Sequence, residues 1–235
     1  MEIGGNNLNI KIVNNANQAT GLTVVIDVFR AFTVEPYLIN NGVKKLIPVG
    51  DIQIAYDYKN KDNNIILIGE RNGIILPGFD YGNSPSQIEN VDFSNKAVVH
   101  TTSCGTQGIV KSVNAKQIIT GSLVNAEAIV KYIIKNKIEE ISLLTLCKPG
   151  ETPFDEDLLC ANYIKGLLEN NPLNNLKEQI NKLKTTTGSK FFNKLKQKDF
   201  PERDFYLCTE LNKFNFILKV EKDEKGSMYI KKIDV

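Results

Sequence analysis

The sequence predicts an α/β fold: a mainly parallel sheet with flanking helices. Two observations carry that expectation. Short aliphatic, often β-branched runs bounded by glycine or polar residues recur along the chain, and stretches with helical spacing lie between them. The polar residues of chemical interest also fall at the C-terminal ends of these runs, where open parallel sheets gather their ligand sites.

Residues 23–29 (TVVIDVF) read as a buried strand, because a β-branched run is bounded by Gly21 and a charged turn. A helical pattern follows over 33–41. Residues 44–49 form the next strand, and Asp51 is placed to cap the helix after it. A third strand spans 65–68. Residues 69–95 are rich in Gly, Pro, Asn and Ser, and a connection that long points to function or disorder. Further strands are expected at 97–100, 117–120 and 141–146, and helices at 106–113, 125–136 and 154–169. After Asn170 the composition turns to Asn, Lys and Thr, which suits amphipathic helices joined by polar turns. Residues 205–220 are apolar again and return to the body. The stretch EKDEKGSMYIKKIDV reads as a hairpin or a frayed end. Residues 1–170 are therefore expected to form the core, with 171–235 as a helical segment and strands packing back on it, or the whole as one continuous domain.

The 235 residues fit one large domain or two small ones, and 42% hydrophobic with 24% charged residues is the balance of a soluble globular protein. A net charge of +2 without an arginine-rich tract argues against nucleic acid as a partner. No apolar run approaches the ~20 residues that span a bilayer, and MEIGGNNLNI lacks the basic-then-apolar pattern of a secretory signal. Cys104, Cys147, Cys160 and Cys208 show no CxxC spacing, which fits reduced thiols in the cytoplasm. The single histidine, His100, excludes metal sites built from several histidines, so a metal here would be a hard, oxygen-liganded ion such as magnesium.

The richest stretch is HTTSCGTQG, residues 100–108. Thr101, Thr102, Ser103 and Thr106 supply hydroxyls, and Gly105 permits a tight turn into the helix. A strand, a small-polar turn and a helix N-terminus make an anion site, or merely a capped connection. Asp27 sits inside an apolar run, where it needs a metal, an ion pair with Arg30 or a capping role. Glu70 and Arg71 in GERNG face anion chemistry or pair at the surface, Asp80 and Asn83 lie in GFDYGNSP, and Glu156 and Asp157 open a helix after the turn KPGETP, where the dipole favours acids anyway. Carboxylates holding magnesium, arginines and loop N–H groups are what phosphoryl transfer requires. A thiolate route through Cys104 would need the arginine that closes cysteine-phosphatase loops six positions on, and Val110 stands there. No DxDx(T/V), GxGxxG or Walker pattern occurs.

VVIDVFRAFT, GERNG, GFDYGNSP, HTTSCGTQG, GSLVNAEA and FDEDLLCA, in this order, resemble the 2-phosphosulfolactate phosphatase (ComB) family from about residue 22 to 169, with a weaker echo in FPERDFYLC. The resemblance implies a magnesium-dependent, dimeric, cytoplasmic phosphatase that converts 2-phosphosulfolactate to sulfolactate and phosphate on a route to coenzyme M. The matching positions make Asp27, Arg30, Glu70, Arg71, Asp80 and Glu156 candidates for catalysis, with Asp80 or Glu156 as the candidate for proton transfer. Asn83, Ser84, Thr101, Thr102, Ser103, Cys104, Gly105 and Thr106 fall to substrate binding, and Asp27, Glu70 and Asp157 to the metal. The family loop commonly reads TTTNGTRA, whereas this chain has Cys104, Gln107 and Gly108 and so lacks a cation beside the anion site. The alternatives are a phosphatase of another small phospho-acid and a non-catalytic anion-binding protein.

Overall fold

Apolar runs that alternate with helical spacing must be buried together, and the computed structural model, which describes residues 8–146 and 154–235, buries them around one sheet. The elements begin with β1 (Asn9–Val13), β2 (Gly21–Ile26), α1 (Ala31–Asn40), β3 (Lys45–Pro48), α2 (Ile52–Lys61), β4 (Ile66–Arg71) and β5 (Ile74–Ile75). The chain continues through α3 (Pro85–Ile88), β6 (Ala97–Thr101), α4 (Gly105–Lys111), β7 (Ala115–Gly121), α5 (Ala126–Lys135) and β8 (Glu140–Thr145). Then come α6 (Asp155–Leu168), α7 (Leu176–Lys182), α8 (Ser189–Phe192), α9 (Glu202–Cys208), β9 (Phe216–Lys222) and β10 (Met228–Asp234).

The strand order is β1-β8-β2-β7-β9-β10-β3-β6-β4-β5. β1, β8, β2 and β7 form one parallel block, with Val24 beside both Leu143 and Ile119. β3, β6 and β4 form a second, with Leu46 beside Val98. The antiparallel hairpin β9–β10 joins them, Val220 pairing with Ile118 and Ile230 with Leu46. The three reversals at this junction set the two blocks in opposite directions. A twist of ~20–25° per strand, accumulated from β2 to β6, turns the second block back toward the first. The C-terminal ends of β2 and β6 consequently meet: a Cβ on Gly105 would lie 2.7 Å from Ala31 Cβ, and one on Gly108 would lie 2.7 Å from Val25 Cγ1.

β2 is buried along its whole length, as a central parallel strand must be. Val24 and Ile26 pack with Ile129, Ile133 and Ile164 of α5 and α6, while Val25 joins Phe32, Leu38 and Ile109 on the other face. Each such side chain contributes about 1.5–3 kcal/mol by burial. The polar stretch after α6 holds itself down with Leu183, Phe191 and Phe205 against Leu159.

Some expectations shift and others hold. β1 is an additional edge strand, in which Ile10 and Ile12 alternate with polar Asn9 and Lys11. β4 runs on through Glu70 and Arg71, which are therefore strand residues with opposite facing. Asp51 caps α2 by accepting from Gln53 N at 2.8 Å. EKDEKGSMYIKKIDV spans the turn of the β9–β10 hairpin, and that hairpin lies in the middle of the sheet. The turn KPGETP and Cys147 lie outside the described residues.

Candidate active site

Asp27 follows β2, and its Oδ1 accepts Ala31 N at 3.0 Å, satisfying an N–H at the start of α1. Asp157, in the first turn of α6, accepts Val28 N at 2.8 Å. The loop after β2 thus carries one carboxylate and anchors another. Glu70 accepts Ser103 N at 2.6 Å on Oε1, and Gly73 N at 2.5 Å and Ser103 Oγ at 3.1 Å on Oε2. Glu156 Oε2 accepts a short hydrogen bond from Thr187 Oγ1. These four buried carboxylates border one cavity of about 340 Å³.

Burial makes the charged forms costly. It pushes the pKa of Asp27 up to about 7, against the Ala31 hydrogen bond, with repulsion from Glu70 and Glu156 adding to it and Lys190 opposing it. The Asp157 carboxyl is raised well above the ordinary range by burial, then by Glu156 and Asp27. Glu156 is raised by burial, with the Thr187 bond and Lys190 working the other way. The cavity thus gathers more buried carboxyl groups than its own cations stabilise in the ionised form.

Two of those cations border it. Arg30 is committed to Asp204, Nη1 to Oδ2 at 2.7 Å with both buried, and also donates to the carbonyls of Asp199 and Gly73. Its guanidinium lies 4.9 Å from the Phe200 ring centroid. Lys190, on α8, is half-buried and lies over the rings of Phe29, Phe191 and Phe200.

Of the residues singled out from sequence, Asp27, Arg30, Glu70, Asn83, Ser103, Cys104, Glu156 and Asp157 border the cavity. Gly105 lies beside it, where a Cβ would stand 2.8 Å from Asp27 Oδ2. Others lie elsewhere. Asp80 accepts Leu67 N at 2.8 Å and pairs with Lys59, fixing the 69–95 loop to β4. Arg71 turns the other way, to Thr101 Oγ1 and Gly50 O. Ser84 bonds Asp204. Thr102 and Thr106 bond each other, Thr106 N donating to Thr102 Oγ1 and Thr102 N to Thr106 Oγ1. With Ser103 N given to Glu70, much of the loop's N–H array is spent inside the protein. Gln107 reaches Gly50 O at 2.6 Å.

Sequence reasoning missed Lys190, Thr187 and Asp204. The first two come from a lysine- and threonine-rich stretch with no motif, and the third stands in FPERDFYLC, whose echo was the available signal. Cys160 and Cys208 are buried thiols pushed up by desolvation, while Cys104 borders the cavity. Among the described residues, no three His, Cys, Asp or Glu side chains are arranged to hold a metal ion unaided. Magnesium commonly takes one or two carboxylates and completes its shell with water and substrate oxygens, and the hard, mutually repelling donors here suit that mode. A wider cleft of about 1170 Å³ lies between Lys44, Lys96 and Lys225. It is more open and gathers no cluster of buried carboxylates, which makes the smaller cavity the candidate site.

An α/β scaffold with acids and a lysine gathered at converging strand ends has the equipment of a phosphoric monoester hydrolase. A model of the 2-phosphosulpholactate phosphatase family matches residues 10–223, and the chain belongs to that family. It is 28% identical to a Bacillus subtilis protein described as a probable 2-phosphosulfolactate phosphatase, over 86% of this chain and 88% of that one. A Thermoplasma acidophilum protein of the same description is 30% identical over 83% and 84%. One from Caldicellulosiruptor saccharolyticus is 41% identical over 63% of each chain. No helix among the described residues is long and apolar enough to cross a membrane.

Proposed function

We propose that this enzyme is a magnesium-dependent phosphatase that hydrolyses 2-phosphosulfolactate to sulfolactate and phosphate in the 340 Å³ cavity. The observation that carries the reading is the set of four buried carboxylates facing Lys190, a charge pattern that a divalent cation and a phosphate ester would complete together. Asp27, Glu70 and Asp157 are the acids from which one or two would hold the ion, with water and substrate oxygens completing its shell. When bound, magnesium supplies positive charge for the non-bridging phosphate oxygens and relieves the repulsion among the acids.

The chain's own residues account for the rest. Lys190 offers the cation that the family loop carries at the position of Gln107. Arg30 is spent on Asp204 and shapes the wall. Glu156, its carboxyl raised by burial, is the group placed to give a proton to the leaving alkoxide as water adds to phosphorus and the ester P–O bond breaks, the water's own protons staying on the phosphate released. The cavity's cations favour a second reading of the substrate: with Arg30 paired to Asp204, Lys190 is left to meet the ligand's charge, and a phospho-acid lacking the sulfonate fits the same site. A homodimer in the cytoplasm is part of the proposal on the family resemblance, and light scattering checks the oligomer.

Phosphate release from phosphosulfolactate and phospholactate, each with magnesium and with chelator, tests the reading. Magnesium-dependent turnover of the sulfonate ester is expected. Preference for phospholactate would keep the phosphatase and replace its substrate, and no turnover of either would remove the proposal.

A further inference from the structure

His100, the chain's single histidine, lies on β6 with no exposed surface. Its Nδ1 is 3.1 Å from Glu35 Oε1 and its Nε2 is 3.3 Å from Asn83 Oδ1. Glu35, in the middle of α1, is equally buried, and its other oxygen accepts Thr120 Oγ1 at 3.2 Å. Among the described residues Glu35 has no other cationic partner. Each ring nitrogen thus faces an acceptor oxygen, the Glu35 carboxylate on one side and the Asn83 amide oxygen on the other, and buried acceptors need donors. Both ring nitrogens then donate, Nδ1–H to Glu35 and Nε2–H to Asn83.

That arrangement settles which way Asn83 faces. An amide has one acceptor oxygen and one NH₂ group. With Oδ1 held by His100, the NH₂ is left at the cavity, where it has no hydrogen-bond partner among the described residues. We propose that the Glu35–His100 pair orients Asn83 so that its NH₂ donates to the phosphate oxygens of the substrate. Glu35 and His100 are then positioning residues that never touch substrate. The inference rests on the phosphatase reading of the cavity and adds a buried device that sets the polarity of Asn83 at its wall.

A lone histidine makes the test direct, because its ring nitrogens give unambiguous ¹⁵N signals in uniformly labelled protein. The free enzyme is expected to show both nitrogens protonated, and the Nε2 signal should move when inorganic phosphate and magnesium are added. A bare Nε2 would mean that Asn83 turns its carbonyl to the cavity, which overturns the inference. So would a fixed Nε2 signal while the Ser103 amide responds to phosphate. If neither responds, the phosphate site itself is at fault.

Kinetics supply the second arm. His100→Leu, made together with Glu35→Gln so that no lone carboxylate is left buried, should raise KM roughly ten- to hundredfold with little change in kcat. His100→Gln retains an N–H donor near the Nε2 position and should recover part of that loss. Equal KM in all three proteins, or a fall in kcat alone, would count against a positioning role.

Discussion

Arg30 and Asp204 meet at 2.7 Å across 174 residues of sequence, and both side chains are buried. Asp204 also accepts from Ser84 Oγ and Ser86 N at 2.9 Å each, so one carboxylate pins the β2–α1 loop, the long 69–95 loop and α9 together. Asp204→Ala leaves Arg30 charged and unpaired. A loss of about 3–5 kcal/mol is expected, which corresponds to a fall in Tm of roughly 6–20 °C at this chain length. Calorimetry checks it, and a variant that melts with the parent would show that Arg30 finds another partner.

Gly105→Ala tests the meeting of the two parallel blocks. The added methyl would stand 2.7 Å from Ala31 Cβ and 2.8 Å from Asp27 Oδ2. Either the loop moves or Asp27 does. The expected cost is about 1–3 kcal/mol in stability, with a larger proportional loss of turnover because a proposed metal ligand is displaced. Full activity in this variant would remove Asp27 from the chemistry.

The acids predict an unusual pH dependence for metal-free protein. Asp27 has a folded pKa of about 7 against 3.8 in the unfolded chain. Between those values the folded state holds the extra proton, so stability falls as pH rises across the window and levels off above it. Glu156 and Asp157, raised by the same burial, act with the same sign. In chelator the protein should melt higher at pH 5 than at pH 8. Asp27→Asn should flatten the profile, and magnesium should restore stability at the alkaline end. A profile rising with pH in chelator, and unchanged by Asp27→Asn, would contradict the burial argument.

Lys190 is expected to carry binding of the doubly charged substrate. Lys190→Met preserves most of the stem that packs on Phe29 and Phe200 but removes the charge. Loss of a charge-assisted hydrogen bond predicts a KM higher by roughly ten- to hundredfold. Steady-state kinetics checks this, and an unchanged KM would leave the cavity without a substrate cation.

Much of this architecture was legible because burial on both faces writes itself into a strand. The run before Asp27 and the run 141–146 are mostly aliphatic and buried at every position, and the structure makes both interior strands. β1 was harder, since an edge strand shows only a faint alternation. The central placement of β9 and β10 had no local signal at all: strand order is decided by packing between distant segments. The motif acids at 27, 70, 156 and 157 do gather, but Asp80 shows the limit of motif spacing, since a carboxylate in the same run serves its loop instead. Lys190 and Thr187 stayed hidden because a polar turn leading into a one-turn helix reads like solvated surface.

The position of the β9–β10 hairpin also bears on how the protein is made. The two parallel blocks share no direct strand pairing; each meets only the hairpin. While the ribosome is still threading out residues before Phe216, β7 and β3 therefore each present an unpaired, hydrogen-bond-hungry border, the state in which nascent chains stick to one another. Cells that produce this protein need to shield those borders until residue 234 has emerged, and a fragment ending before the hairpin should collect in inclusion bodies.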